Sequence, residues 1–180
     1  IRDSLWKGQD GFVIERPSSA LVSWQMEYME LIGANNESLA ELNGEGVVVC
    51  VVDSGVDLGH PDLRGVELRG WRDSINGIEE PYDDEGHGTA MTGIIVSDGG
   101  LDGVAKGVDL LVAKAIDDEG LGTDGTVSDS VDWCVEQGAD IISLSLGGSQ
   151  SFGSDFFTTD ELEQSVNDAL DSGVFVVSSA

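Results

Sequence analysis

The feature that most constrains this chain is the uninterrupted apolar run Val47-Val48-Val49-Cys50-Val51-Val52, closed by Asp53-Ser54-Gly55. A β-branched run with no polar alternation fits a strand covered on both faces, the condition of a parallel sheet. From Gly46 onward, strand and helix patterns then alternate. Strands are expected at Val66–Trp71, Asp109–Ala115, Asp140–Leu146 and Val174–Ser179. Helices are expected at His87–Ser97, at Thr126–Gln137 and at Asp160–Asp171. Thr126 or Asp124 would cap the second of these helices, with Gly138 just past its end, and Thr159 or Asp160 would start the third. Such alternation implies an α/β fold, a parallel β-sheet flanked by helices on both faces in three layers. Functional residues then belong at the carboxyl ends of strands, where Asp53, Ser145 and Ala180 fall. Residues 1–45 are poorly patterned, apart from a helical spacing over Leu21–Ile32. They are expected to form an N-terminal extension packing on a core domain at 46–180.

Charge narrows the partners. The chain carries 35 Asp and Glu against 8 Lys and Arg, a net charge of −27, and only Lys7, Lys106 and Lys114 are lysines. Phosphate contacts need Lys and Arg, so nucleic acid and anionic membrane surfaces are excluded as partners. No stretch is long and apolar enough to cross a membrane as a helix. The acids alternate with apolar core segments and do not form a tail, which is not a disordered composition. Lysine depletion together with acid enrichment points to adaptation to high salt, where charge is screened over a few ångströms. Cys50 lies in the apolar run and Cys134 in a helical pattern beside Trp133. Both are expected to act as small hydrophobes in place of forming a disulfide or a nucleophile.

Two short segments carry chemistry. Asp53 ends the first strand in a tight turn, and His87 opens a helix in Gly86-His87-Gly88-Thr89-Ala90-Met91-Thr92-Gly93. A histidine can take and return a proton near neutral pH, and a carboxylate can fix its tautomer. The segments Asp53-Ser54-Gly55-Val56, followed by His60-Pro61-Asp62-Leu63, and His87-Gly88-Thr89 resemble the aspartate and histidine blocks of the subtilisin-like serine proteases (subtilases). Ala90 stands where that family has a second, non-catalytic histidine. Ile142-Ser143-Leu144-Ser145-Leu146-Gly147-Gly148 is similar to the family's substrate-binding strand, and Val174–Ala180 to the strand leading to its oxyanion Asn. The blocks keep the family's order over Gly46–Ala180.

The resemblance implies a serine endopeptidase in which Asp53 and His87 supply two members of a Ser-His-Asp triad. The oxyanion Asn and the serine would lie beyond Ala180, so the 180-residue chain alone is expected to be inactive. An extended peptide or protein substrate would pair between Gly120-Leu121-Gly122 and Ser145-Leu146-Gly147, with Leu121 and Leu146 lining apolar subsites. The alternatives are a non-catalytic peptide-binding module or a half-domain completed by a second chain. A propeptide or a missing carboxyl-terminal half would then be a further partner. The start at Ile1 fits a processed segment, and the family resemblance implies secretion. Asp57, His60 and Asp62 do not have zinc-site spacing, and His60 is expected to be a turn residue. The acidic runs Asp83-Asp84-Glu85, Asp98–Asp102 and Asp117-Asp118-Glu119 are expected to be solvated faces. Ca²⁺ is the one cofactor they leave open.

Overall fold

The structure, a computed structural model, describes residues 29–36, 39, 41–146 and 160–179. Five parallel strands form one sheet in the order β2-β3-β1-β4-β5. They are β1 (Val48–Asp53), β2 (Leu68–Asp73), β3 (Asp109–Lys114), β4 (Ile141–Leu144) and β5 (Phe175–Ser178). The helices are α1 (His87–Val96), α2 (Asp124–Glu136) and α3 (Asp160–Asp171). The expected α/β class and the alternation of elements are what the structure has. Val48–Val52 of the apolar run lie in the central strand β1, every residue of which is buried.

Side chains alternate across a strand, so each strand feeds two cores. Cys50 and Val52 of β1 join Leu111 and Ala113 of β3 on one face, under Val127, Val131 and Cys134 of α2 and Ala169 of α3. Val51 joins Leu110 and Val112 on the other face, with Val96 of α1 and Leu63 of the 3-10 turn Pro61–Leu63. Asp53 has the parity of Val51, and Lys114 that of Leu110 and Val112. Both therefore belong to the face that α1 covers.

Two expectations are corrected here. Cys50 and Cys134 are joined in a disulfide, with Cα atoms 5.9 Å apart and both residues fully buried. The sequence could not show this, because the pairing depends on α2 lying directly over β1. The cap of α2 is neither Asp124 nor Thr126 but Thr123, in extended backbone (φ −103°, ψ 157°). Its hydroxyl accepts the Thr126 N–H at 3.1 Å, and its own N–H donates to the Thr126 hydroxyl at 3.0 Å. This is a reciprocal capping box with Thr in the place of the usual Glu. Of the N-terminal helix expected over Leu21–Ile32, residues 29–31 are helical and residues 21–28 lie outside the described residues.

Candidate active site

β1 delivers Asp53 to the carboxyl edge of the sheet, where the side chain is 1% exposed. Its Oδ1 accepts the Ser54 N–H at 2.7 Å. The His87 ring meets it with Nδ1, 2.8 Å from Oδ1 and 2.9 Å from Oδ2. The imidazole is 28% exposed, so its other edge is open. Burial pushes the Asp53 carboxyl above its ordinary range, against the opposing pull of the His87 hydrogen bond and the Ser54 N–H.

His87 is the first residue of α1, and the start of that helix is unusual. Its cap is Gly86 (φ 99°), which has no side chain to offer. The orphan N–H groups of the first turn are taken by other residues instead. His87 N–H donates to Glu85 Oε2, Gly88 N–H to Ser54 Oγ and Thr89 N–H to Asp83 Oδ2, each at 2.8 Å. Ser54 thus joins the turn after Asp53 directly to the helix that carries His87. The two backbones also touch. A β-carbon on Gly88 would overlap the carbonyl of Gly55, and one on Gly55 (φ 120°) would overlap the carbonyl of Tyr82. Glycines at both places let the main chains set the Asp53–His87 distance.

Asp83 organises this junction. It accepts hydrogen bonds from the Ser54 hydroxyl at 2.9 Å, the Gly86 N–H at 2.8 Å, and the Thr89 N–H and hydroxyl. Burial acts to raise its carboxyl, but these donors outweigh it and hold the group below the ordinary carboxylate range. Within the run Asp83-Asp84-Glu85, expected to be a solvated face, Asp83 is therefore an internal hydrogen-bond acceptor, while Asp84 is exposed. Asp83, Ser54, Thr89 and Lys114 are structural partners of the pair, in roles that the sequence motifs do not point to. Lys114 carried the clearest unused signal, a lysine inside the apolar run Leu110–Ala115. It is fully buried.

The expected substrate segments follow β3 and β4. Gly120, Leu121 and Gly122 are exposed, on a loop folded around Asp117, whose Oδ1 accepts the N–H groups of Glu119 and Leu121 at 2.9 Å. Gly120 faces Glu85, two residues before His87. Ser145 and Leu146 are half-buried just past β4. Leu146 packs on the α2-side core, and its carbonyl accepts the Ser179 hydroxyl at 2.9 Å. Gly147, Gly148 and Ala180 lie outside the described residues. His60 caps the 3-10 turn by accepting the Asp62 N–H at 3.2 Å, a turn role. Among the described residues, no three or more His, Cys, Asp and Glu side chains are arranged to hold a metal ion.

The structure is a parallel α/β sheet with a buried Asp53 carboxylate and a partly exposed His87 imidazole paired at the carboxyl edge, where α/β folds place their functional residues. Comparison with known proteins gives the family. Residues 44–180 match the subtilase family, and this chain belongs to it. It is 36% identical over 147 residues to the serine protease AprX of Bacillus subtilis (strain 168), covering 75% of this chain and 33% of AprX. It is 36% identical over 146 residues to the major intracellular serine protease of the same organism, covering 77% of this chain and 44% of that one. A crystal structure of a cold-adapted subtilisin-like serine proteinase superposes with a TM-score of 0.65 at 30% identity, covering 77% of this chain and 48% of that chain. The chain thus spans less than half the length of these relatives.

Proposed function

We propose that this chain supplies the Asp and His of a serine endopeptidase, with Asp53 as orienting carboxylate and His87 as general base. The observation that carries the reading is His87 Nδ1 held between both oxygens of the buried Asp53 carboxylate. That contact fixes the proton on Nδ1 and leaves the Nε2 lone pair for a substrate-side proton. In the reaction, a serine Oγ attacks the peptide carbonyl carbon while its proton passes to Nε2. Asp53 stabilises the resulting imidazolium. Nε2 then returns the proton to the leaving amine, and water releases the acyl group by the same route. The serine and the oxyanion Asn belong to sequence beyond residue 180, as the family resemblance implies.

The peptide would lie between Gly120-Leu121-Gly122 and Ser145-Leu146-Gly147. The strands leading to these segments, β3 and β4, flank β1 on either side. Their extensions are therefore two strand spacings apart, about 10 Å, which is room for one added strand. Export and a high-salt habitat complete the proposal. The disulfide supports an oxidising compartment, and the charge of −27 supports the salt.

The test is labelling by a fluorophosphonate. The full-length protein is expected to react, and His87→Ala to abolish labelling. The 180-residue chain alone is expected not to react, since loss of the serine costs on the order of 10⁶ in turnover. An unreactive full-length protein, or a reactive 180-mer, would overturn the assignment.

A further inference from the structure

Lys114 ends β3 in register with Asp53, on the face of the sheet that α1 covers. Its side chain is fully excluded from solvent. A buried ammonium must find partners for its protons, and this one has three. Nζ donates to the Ser54 carbonyl at 2.6 Å, to Asp84 Oδ1 at 2.6 Å and to the Ile116 carbonyl at 2.8 Å. It also sits 4.9 Å from the centroid of the Tyr82 ring. These partners come from three separate segments. Ser54 follows Asp53, Tyr82 and Asp84 belong to the loop that leads into His87, and Ile116 begins the loop that carries Gly120. No other cation among the described residues is fully buried.

We propose that Lys114 is a positioning residue for the Asp53–His87 pair, an internal cation that clamps the Asp53 turn to the His87 loop and is balanced electrically by Asp84. The inference rests on the reading of Asp53 and His87 as a working pair. The clamp holds the carbonyl of Ser54 while the Ser54 hydroxyl holds α1, so the turn is gripped from both sides. The charge has a separate effect. Asp53 touches the imidazole, and the segments packed around it carry further acids, Asp57 after β1 and Asp83, Asp84 and Glu85 in the preceding loop. Beyond β3 lie Asp117, Asp118 and Glu119, and α1 carries no other ionisable side chain. Lys114 is the cation set against these acids. Nζ and Asp84 Oδ1 are 2.6 Å apart, so the two opposite charges are expected to offset each other as felt by the imidazole. Removing either one leaves the other uncompensated.

The two removals therefore push the imidazole in opposite directions, which a merely structural lysine would not do. The chain has two histidines, so the His87 ring signal is assigned by comparison with His87→Ala and followed by NMR against pH. Lys114→Met keeps the length of the side chain and leaves Asp84 bare, so imidazolium is favoured and the titration midpoint rises. Asp84→Asn leaves Lys114 bare, so the midpoint falls. Each shift is expected to be about half a pH unit, smaller than the one to three units of a charge in direct contact. The double variant is expected near the parent. Shifts of the same sign, or a double variant no closer to the parent than the singles, would overturn the proposal. Asp84 is 39% exposed, so Asp84→Asn leaves the core intact. If Lys114→Met does not fold, Asp84→Asn decides alone, and a midpoint that stays or rises overturns the proposal. The measurement needs no serine, so its failure is distinct from a failure of fluorophosphonate labelling.

Discussion

Gly88 and Gly55 show how single residues set the Asp53–His87 geometry, because a methyl group on either would meet a carbonyl oxygen. Gly88→Ala is expected to cost more than about 2 kcal/mol of stability and to displace His87 from Asp53. Urea denaturation and the His87 ring signal would check this. Acid should weaken the fold through two carboxylates. Asp73 is pushed up by burial, but the N–H groups of Asn76, Ile78 and Ile75 and the Tyr82 hydroxyl outweigh this and leave it below its ordinary value. Asp83 is also lowered. A depressed carboxyl stabilises the fold above its unfolded range and loses that contribution as pH falls through the folded value. Asp53 is raised, so its burial opposes folding at neutral pH and is relieved in acid. Two groups against one predict a urea midpoint that drops below about pH 4. Asp73→Asn should flatten that slope, and a midpoint independent of pH would refute it. That Asp53 and His87 would meet was legible because their neighbours are glycines and turn residues with few alternative uses. The roles of Asp83 and Lys114 were not. Among so many acids, a carboxylate that gathers N–H groups looks like any solvated one, and although the apolar run around Lys114 hinted at burial, its partners appear only once β3 is placed beside β1.

At the level of elements, strands and helices were readable because continuous apolar runs and helical spacing differ in period. Their ends were less so. Asp124 and Thr126 both suit a cap, and only the backbone at Thr123 shows which residue faces the free N–H groups. Thr123→Ala should cost about 1 kcal/mol, seen as a lower urea midpoint with the His87 ring signal unchanged. The disulfide was illegible for another reason. Two apolar-context cysteines separated by 84 residues look alike whether bonded or free, and only the docking of α2 on β1 brings them together. Replacing both with Ala should lower stability by about 4–5 kcal/mol, the closure entropy of so long a loop. A loss under about 1 kcal/mol would show that the bridge does not constrain the unfolded chain.

For the whole molecule, a net charge of −27 predicts self-repulsion that salt relieves. The melting temperature should climb as KCl rises from about 0.1 M, where the screening length is near 10 Å, to 1 M, where it is about 3 Å. A falling or flat profile would remove the high-salt reading. Alternation foretold a parallel sheet but not the order β2-β3-β1-β4-β5, which depends on the face each connecting helix takes. That choice of faces has a consequence for how such a protein can change. Cys50 points to one side of β1 and Asp53 to the other, so the bridge and the Asp53–His87 pair share a strand but not a compartment. The sheet acts as a partition. Reinforcement accumulates behind it, under α2 and α3, while substitutions in the loops before it can retune the chemistry. An engineer could stiffen the rear half of this molecule and leave the front half as it is.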